Sequence, residues 1–132
     1  MVLYEKLGGR ATITIDEPER HNPMSAATMG GLLDVMRRAT HDPDVRVVVI
    51  TGAGEKTFSA GGDLAGGFVD SVLEGHEGRG ALASLFRQMR RCGKPTIARV
   101  NGHALGGGFG LAAACDITIA SDRATFGTPE IN

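Results

Sequence analysis

The chain has 132 residues, 42% of them hydrophobic, and a formal net charge of −1 at pH 7. These values are typical of one folded domain, and they exclude a disordered chain and a basic protein that gathers nucleic acid or anionic lipid. The apolar runs are too short to cross a bilayer, and the N-terminus lacks the pattern of a signal peptide. We therefore expect a cytoplasmic protein with neither a membrane nor a nucleic-acid partner.

Strands and helices alternate along the chain. Gly8 and Gly9 suit the two-residue turn of a β-hairpin, and Ser25 is a typical residue to cap the start of a helix. In chain order we predict strands Val2–Leu7 and Arg10–Asp16, a helix from Ser25 to near Asp42, strand Val45–Thr51, a helix around Leu82–Met89 that stops before Gly93, strand Thr96–Val100, helix Gly107–Ala114, strand Cys115–Ala120 and a short segment Ala124–Phe126. This alternation favours an α/β fold with parallel strands.

Several polar and charged features have two interpretations. Leu64–Gly80 is rich in glycine and acidic residues, and we predict a loop with a short helix that either shapes a pocket or is a solvated surface excursion. Arg87, Arg90 and Arg91 indicate a solvated helix face, with contact to a cofactor phosphate as the less favoured interpretation. The two cysteines and four histidines lack metal-ligand spacing, so we expect reduced cysteines and no metal site.

Two glycine-rich turns are the most informative features. Gly106–Gly108 follows an apolar strand and opens a helix, a pattern that presents backbone N–H groups to an anion. Three adjacent glycines also occur where a helix packs tightly on a sheet. A second turn, Ala60–Asp63, follows the apolar run Val45–Thr51. Two such donor sites at the ends of two strands are what an oxyanion hole requires.

Four motifs in register give the chain a family resemblance. They are Phe58–Leu64 (FSAGGDL), Asn101–Gly108 (NGHALGGG), Ala114–Ile117 (ACDI) and Phe126–Ile131 (FGTPEI). Together they resemble the enoyl-CoA hydratase/isomerase (crotonase) superfamily. The opening segment Ala11–Asn22 is similar to the first strand of that family and the turn after it.

The resemblance implies an α/β fold of the ClpP/crotonase type, a spiral of ββα units that is incomplete at its C-terminus. Residues 1–132 would then be the N-terminal part of a single crotonase-like domain, truncated before the C-terminal helices. Family members use those helices to close the substrate pocket and to build homo-oligomers. The full-length form is therefore expected to be a trimer or a hexamer.

The resemblance also implies site residues. The backbone N–H groups of Gly62 and Gly107 would bind the thioester oxygen of an acyl-CoA, which is the substrate, and no separate cofactor is expected. The residues implied in substrate binding are Ala60, Gly61, Gly62, Asp63, Leu64 and Gly107. Asp63 is also explained by a turn or helix-cap role.

The acid/base group is the point at which this chain departs from the family pattern. Hydratases of the family carry two glutamates, and the positions that match them here are Gly110 and Glu130. The resemblance therefore implies Glu130 as the single catalytic acid/base, although a surface carboxylate in a turn is the alternative. One carboxylate suits the movement of a double bond, because the same base can remove a proton from one carbon and return it to another.

The resulting expectation is double-bond isomerisation of an enoyl-CoA. Two alternatives stay open: a hydratase that recruits another residue, and a crotonase-fold binding protein that has lost activity. Gly110 supports the second alternative and Glu130 opposes it.

Overall fold

The computed structural model describes residues 1–62 and 72–128, without the side chains of 72–79. The elements of this part are strands β1 (Val2–Leu7), β2 (Arg10–Ile15), β3 (Val47–Gly52), β4 (Thr57–Ser59), β5 (Thr96–Val100), β6 (His103–Leu105), β7 (Ile117–Ala120) and β8 (Phe126–Gly127), and helices α1 (Ala26–His41), α2 (Val72–Arg91) and α3 (Gly107–Ala113). A short 3-10 turn, Pro18–Arg20, lies between β2 and α1.

The described strands form two sheets. The larger sheet has the order β1-β2-β3-β5-β7, and the smaller sheet has the order β4-β6-β8. Strand β1 pairs with β2 in antiparallel fashion across the predicted hairpin, whereas every other described pair of strands is parallel. The predicted α/β fold with parallel strands is therefore confirmed.

Helix α1 covers the larger sheet because its apolar residues recur on one face. Leu32 and Met36 are fully buried in one core cluster with Ile13 of β2 and Ile50 of β3. The predicted cap is confirmed, since the Ser25 hydroxyl accepts a hydrogen bond from the Thr28 N–H at 3.1 Å.

The C-terminal end of α1 has a partner from a distant part of the chain. The Lys94 ammonium donates hydrogen bonds to the carbonyl oxygens of Ala39 and Asp42. The last carbonyls of a helix lack full intrahelical hydrogen bonding, and here the Ala39 carbonyl accepts a long bond, 3.4 Å, from the Asp42 N–H. A cation at this end also interacts favourably with the helix dipole. Lys94 thus joins the end of α1 to the segment that begins β5.

The prediction for Leu64–Gly80 is corrected in part. Residues 72–80 belong to α2, which continues without interruption to Arg91, so they are neither a loop nor a separate short helix. The predicted loop residues 64–71 lie outside the described residues. Glycines lower helix propensity locally, but propensity is a weak signal where a helix packs on a neighbour, and α2 packs on α1.

The smaller sheet is the main feature that sequence patterns missed. Its strands β4 and β6 have three residues each, too few to show a period. The chain bends at Gly102 between β5 and β6 and approaches the backbone before β4 so closely that a Cβ atom there would lie 2.1 Å from the Lys56 carbonyl oxygen. The two glycine turns therefore follow β4 and β6, rather than β3 and β5 as predicted.

The smaller predictions have mixed outcomes. Arg87, Arg90 and Arg91 are exposed, as the solvated-face interpretation required, and both cysteines are free. The last strands are shorter than predicted or shifted: β7 begins at Ile117 and β8 spans Phe126–Gly127.

Candidate functional site

The first glycine turn is held by main-chain hydrogen bonds to the segment before α1. The Ala60 N–H donates to the His21 carbonyl oxygen at 3.0 Å, and the Met24 N–H donates to the Gly61 carbonyl oxygen at 2.6 Å. The Gly61 N–H donates to the Ser59 hydroxyl at 3.3 Å. Gly62 is the first residue of the turn whose N–H has no acceptor among the described residues.

The second glycine turn is held from its other side. Gly106 has a φ of +53° and donates its N–H to the Gly127 carbonyl oxygen of β8 at 2.9 Å. Helix α3 starts at the next residue, Gly107, and the Gly110 N–H closes the first turn on the Gly106 carbonyl oxygen at 3.0 Å. The N–H of Gly107 therefore lies at the N-terminal end of a helix.

The two turns are in direct backbone contact. A Cβ atom added at Gly108 would lie 2.3 Å from the Ser59 carbonyl oxygen, so this glycine allows α3 to lie against β4. A Cβ atom at Gly61, whose φ is +85°, would lie 2.6 Å from the Leu105 carbonyl oxygen and 3.0 Å from the Gly107 nitrogen. A side chain at position 61 would both clash and cover the Gly107 N–H.

The N–H groups of Gly62 and Gly107 are the candidate hydrogen-bond donors where the two turns meet. Gly62 is exposed and Gly107 is half-buried. In the part of the chain that the structure describes, neither N–H has a hydrogen-bond acceptor. The first N–H groups of a helix have no intrahelical partner and carry partial positive charge, so this position suits an oxygen atom that bears negative charge.

Two asparagines that sequence reasoning left without a role hold the first turn in place. Asn22 is fully buried; its amide nitrogen donates to the carbonyl oxygens of Ala53 and Thr57 at 3.0 and 2.8 Å, and its side-chain oxygen accepts from the Glu17 N–H. Asn101 adds a second donor to the Thr57 carbonyl oxygen, at 3.2 Å. Both side chains thus fix the path into β4. Their signal in the sequence was only their place in the family motifs.

The structure brings together four of the predicted site residues, which are Ala60, Gly61, Gly62 and Gly107. The other predicted site residues, Asp63, Leu64 and Glu130, lie outside the described residues. The N–H of Ala60 and both main-chain groups of Gly61 are engaged within the protein. Of these four residues, Gly62 and Gly107 are the ones whose N–H has no acceptor among the described residues.

The position that matches the first family glutamate is covered by an aromatic ring. A Cβ atom at Gly110 would lie 3.2 Å from Cζ of Phe86, a half-buried residue of α2. Among the described residues, the side chain that lies against this position is therefore an apolar ring.

Among the side chains that the structure describes, those of residues 1–62 and 80–128, no three His, Cys, Asp or Glu come together in a way that could hold a metal ion. Among the same residues, no helix is both long enough and apolar enough to span a membrane.

The parallel sheets and the paired glycine turns define the crotonase fold, and comparison with known proteins agrees. Residues 5–132 match the family "Enoyl-CoA hydratase/isomerase". The chain is 41% identical over 131 residues to the short-chain-enoyl-CoA hydratase of Clostridium acetobutylicum, and the match covers 98% of this chain and 50% of that protein. It is 38% identical over 130 residues to the crotonyl-CoA hydratase of Syntrophomonas wolfei, with 98% and 50% covered.

Solved structures show the same similarity. An enoyl-CoA hydratase from Bacillus anthracis superposes with a TM-score of 0.94 at 29% identity, with 98% of this chain and 51% of that chain covered. An enoyl-CoA hydratase/isomerase from Xanthobacter autotrophicus gives 0.82 at 40% identity, with 98% and 49% covered.

The chain belongs to the enoyl-CoA hydratase/isomerase family. It spans about half the length of the curated relatives that it matches.

Proposed function

We propose that this chain forms the thioester-binding part of an enzyme that transforms enoyl-CoA. The N–H groups of Gly62 and Gly107 would donate hydrogen bonds to the thioester carbonyl oxygen. The observation that carries the proposal is the backbone contact between the two glycine turns, which puts these N–H groups at neighbouring positions without an acceptor among the described residues. Acyl-CoA is the ligand that this proposal requires, and assembly into a trimer or hexamer stays an expectation.

The chemistry of an enoyl thioester explains why such donors would matter. Adding a nucleophile at C3, or removing a proton at C2 or C4, moves negative charge onto the thioester oxygen. Donors already aimed at this oxygen stabilise the enolate as it forms, and each contributes roughly 3 kcal/mol. The same donors serve hydration and isomerisation, so they define the class of reaction and leave the particular reaction to the acid/base groups.

Hydration is the reaction that the relatives favour. Both curated relatives above are named as hydratases. In hydration, the water oxygen bonds to C3, the water proton passes to a base, and C2 then receives a proton. Glu130, by its place in the family motif, is the proposed acid/base. Because Gly110 has no side chain, a second polar group would have to come from another residue.

Isomerisation is the second candidate, and Gly110 favours it. Glu130 alone could remove a proton from C2 of a 3-enoyl-CoA and return a proton to C4, which moves the double bond into conjugation. The Phe86 ring over Gly110 leaves no carboxylate at that position to hold a water molecule. This was the reaction expected from the number of carboxylates.

One experiment tests the class and separates the two reactions. The protein is incubated with 2-enoyl-CoA and with 3-enoyl-CoA in deuterated buffer, and deuterium uptake, bond position and 3-hydroxyacyl-CoA are followed together. We expect turnover of at least one substrate, and loss of turnover in Glu130→Gln, because an amide keeps the shape but cannot accept the proton. Glu55→Gln, which changes an exposed carboxylate between β3 and β4, is the control.

Each outcome has a clear meaning. Fast formation of 3-hydroxyacyl-CoA selects hydration, whereas a shifted bond without it selects isomerisation. Full activity of Glu130→Gln would remove Glu130 from the proposal. Acyl-CoA binding without deuterium uptake or product would favour a binding protein of the same fold, and the absence of both binding and turnover would overturn the proposal.

A further inference from the structure

Phe86 is placed next to the proposed donor by the geometry of α3. Gly107 and Gly110 are three residues apart in this helix, so they lie on the same face. At Gly107 this face packs on Met24, because a Cβ atom there would lie 3.6 Å from Cγ of Met24. At Gly110 the face packs on Phe86, because a Cβ atom there would lie 3.2 Å from Cζ and 3.6 Å from Cε2 of the ring.

The direction of a helical Cβ brings the ring closer to the donor end. Cα–Cβ bonds in an α-helix tilt toward the N-terminus, so the space beside the Gly110 Cβ position lies over the turn that begins at Gly107. The ring edge of Phe86 occupies this space. Phe86 is only half-buried although it contacts the core, which leaves part of the ring free for a ligand.

We propose that Phe86 determines acyl-group specificity: its ring forms an apolar wall beside the Gly107 N–H, against which the first carbons of the acyl chain lie. This inference rests on the proposed function, because it places the thioester oxygen on Gly62 and Gly107. A thioester whose oxygen binds the Gly107 N–H has its C2 and C3 atoms within a few bond lengths of that N–H. Gly107 is about one helical turn from Gly110, where the ring of Phe86 lies.

The wall has a definite consequence for substrate choice. A flat, linear enoyl group can lie along an aromatic ring, whereas a methyl branch at C2 or C3 must push against it. Because Cζ of the ring already lies 3.2 Å from the position that a Cβ atom at Gly110 would take, the ring has little room to move toward α3. The site should therefore prefer linear to branched acyl groups, and a smaller residue at position 86 should weaken this preference.

The test compares wild-type protein with Phe86→Ala and Phe86→Leu. Calorimetry gives the Kd of butyryl-CoA, which is linear, and of isobutyryl-CoA and isovaleryl-CoA, which are branched at C2 and C3; none of these saturated thioesters has a double bond to hydrate or move. Kinetics gives kcat/KM for crotonyl-CoA and its 3-methyl derivative. Arg87→Ala is the control, because Arg87 is exposed on the same helix next to Phe86.

We expect wild-type protein to prefer the linear ligand, and Phe86→Ala to shift the linear-to-branched ratio by about tenfold or more toward the branched ligands. Phe86→Leu, which keeps most of the apolar volume, should shift the ratio less, and Arg87→Ala should leave it unchanged. If Phe86→Ala does not fold, the change of the linear-to-branched ratio in Phe86→Leu still tests the role of Phe86.

The two proposals can fail separately. If wild-type protein binds none of the acyl-CoA ligands, the proposed function fails. If it binds them but the ratio in both Phe86 variants stays within twofold of wild type, the role of Phe86 is overturned while the proposed function stands.

Discussion

The two glycine turns have similar sequences but are supported in different ways. The turn after β4 has side-chain support in addition to its main-chain hydrogen bonds, because Asn22, Asn101 and the Ser59 hydroxyl hold the path into and through it. The described contacts of the turn after β6 are almost entirely main-chain: Gly106 bonds to Gly127, and Gly108 lies on the Ser59 backbone. Both turns therefore need glycine where they meet, but polar side chains add support only to the turn after β4 among the described contacts.

The largest effect is expected from removing the second donor. Gly107 is the first residue of α3, a position where proline is well tolerated, so Gly107→Pro removes the N–H while keeping the helix start. Turnover should fall by at least about 10²-fold if this N–H stabilises the thioester oxygen. Steady-state kinetics on an enoyl-CoA, with circular dichroism to verify folding, measures this.

The matched control for that variant is Gly107→Ala. Its Cβ would lie 3.6 Å from Cγ of Met24, an ordinary contact, and the N–H is retained. Activity of the alanine variant should therefore stay close to wild type. Unchanged turnover in a folded proline variant would contradict the assignment of Gly107.

The turn after β4 is tested by adding one carbon atom at each of its two glycines. Gly61→Ala introduces a side chain at φ +85° and a Cβ 2.6 Å from the Leu105 carbonyl oxygen, whereas a Cβ at Gly62 meets nothing within 4 Å. We expect Gly61→Ala to lower the free energy of unfolding by more than about 2 kcal/mol, since the positive φ alone costs roughly 1–2 kcal/mol.

Gly61→Ala should also weaken acyl-CoA binding, because its Cβ would lie 3.0 Å from the Gly107 nitrogen. Urea unfolding and calorimetry measure the two effects. In Gly62→Ala the added Cβ meets no neighbouring atom within 4 Å and the N–H is retained, so neither the free energy of unfolding nor acyl-CoA binding should change strongly. Equal stability and equal acyl-CoA binding of Gly61→Ala and Gly62→Ala would show that Gly61 does not lie against Gly107.

These positions also show how far the sequence predicts the molecule. Adjacent glycines predict tight turns from local sequence, so the candidate donor residues could be proposed from residue types and motif order. The strands that end in the turns could not be predicted, because three residues carry no period. The Asn22 to Thr57 hydrogen bond joins residues 35 positions apart, and no local pattern predicts such a pairing.

The Phe86 contact illustrates the same limit. The helical spacing around Leu82–Met89 predicted that Phe86 faces the protein interior, which is consistent with its half-buried position. That its ring would lie on Gly110 of another helix depends on how α2 and α3 are placed in three dimensions. The sequence therefore predicted a helix around Phe86 and a helix that contains Gly110, but it did not predict the contact between these two residues.

The asparagine supports give the next prediction. Asn22→Ala removes the side-chain donor to the Ala53 carbonyl oxygen, the acceptor of the Glu17 N–H and one of two donors to the Thr57 carbonyl oxygen, so it should lower the free energy of unfolding by about 2–3 kcal/mol. Asn101→Ala should cost less, about 1 kcal/mol, because its amide nitrogen bonds to Gly54 at an exposed position and Thr57 retains Asn22. Urea unfolding of both variants measures this order.

The double variant tests whether the two asparagines act on one group. Both amide nitrogens donate to the Thr57 carbonyl oxygen, so their effects should not add, and a coupling of at least about 0.5 kcal/mol is expected. Strictly additive effects would mean that each asparagine supports a different part of the turn.

The smallest effect concerns the far end of the helix that begins with the second turn. Cys115 follows α3, and burial raises the pKa of its thiol to about 12 from an ordinary value of 9.0. Between these values the unfolded chain loses the proton while the folded protein keeps it, so the unfolded state gains stability as the pH rises. The contribution of Cys115 to the free energy of unfolding should therefore be intact below about pH 9 and should decline toward pH 12.

Urea unfolding at pH 8 and pH 10.5 measures the decline, and Cys115→Ala, which lacks the thiol, should show a smaller decline between the same two pH values. An identical pH dependence in the two proteins would show that the thiol ionises as easily in the folded protein as in the unfolded chain.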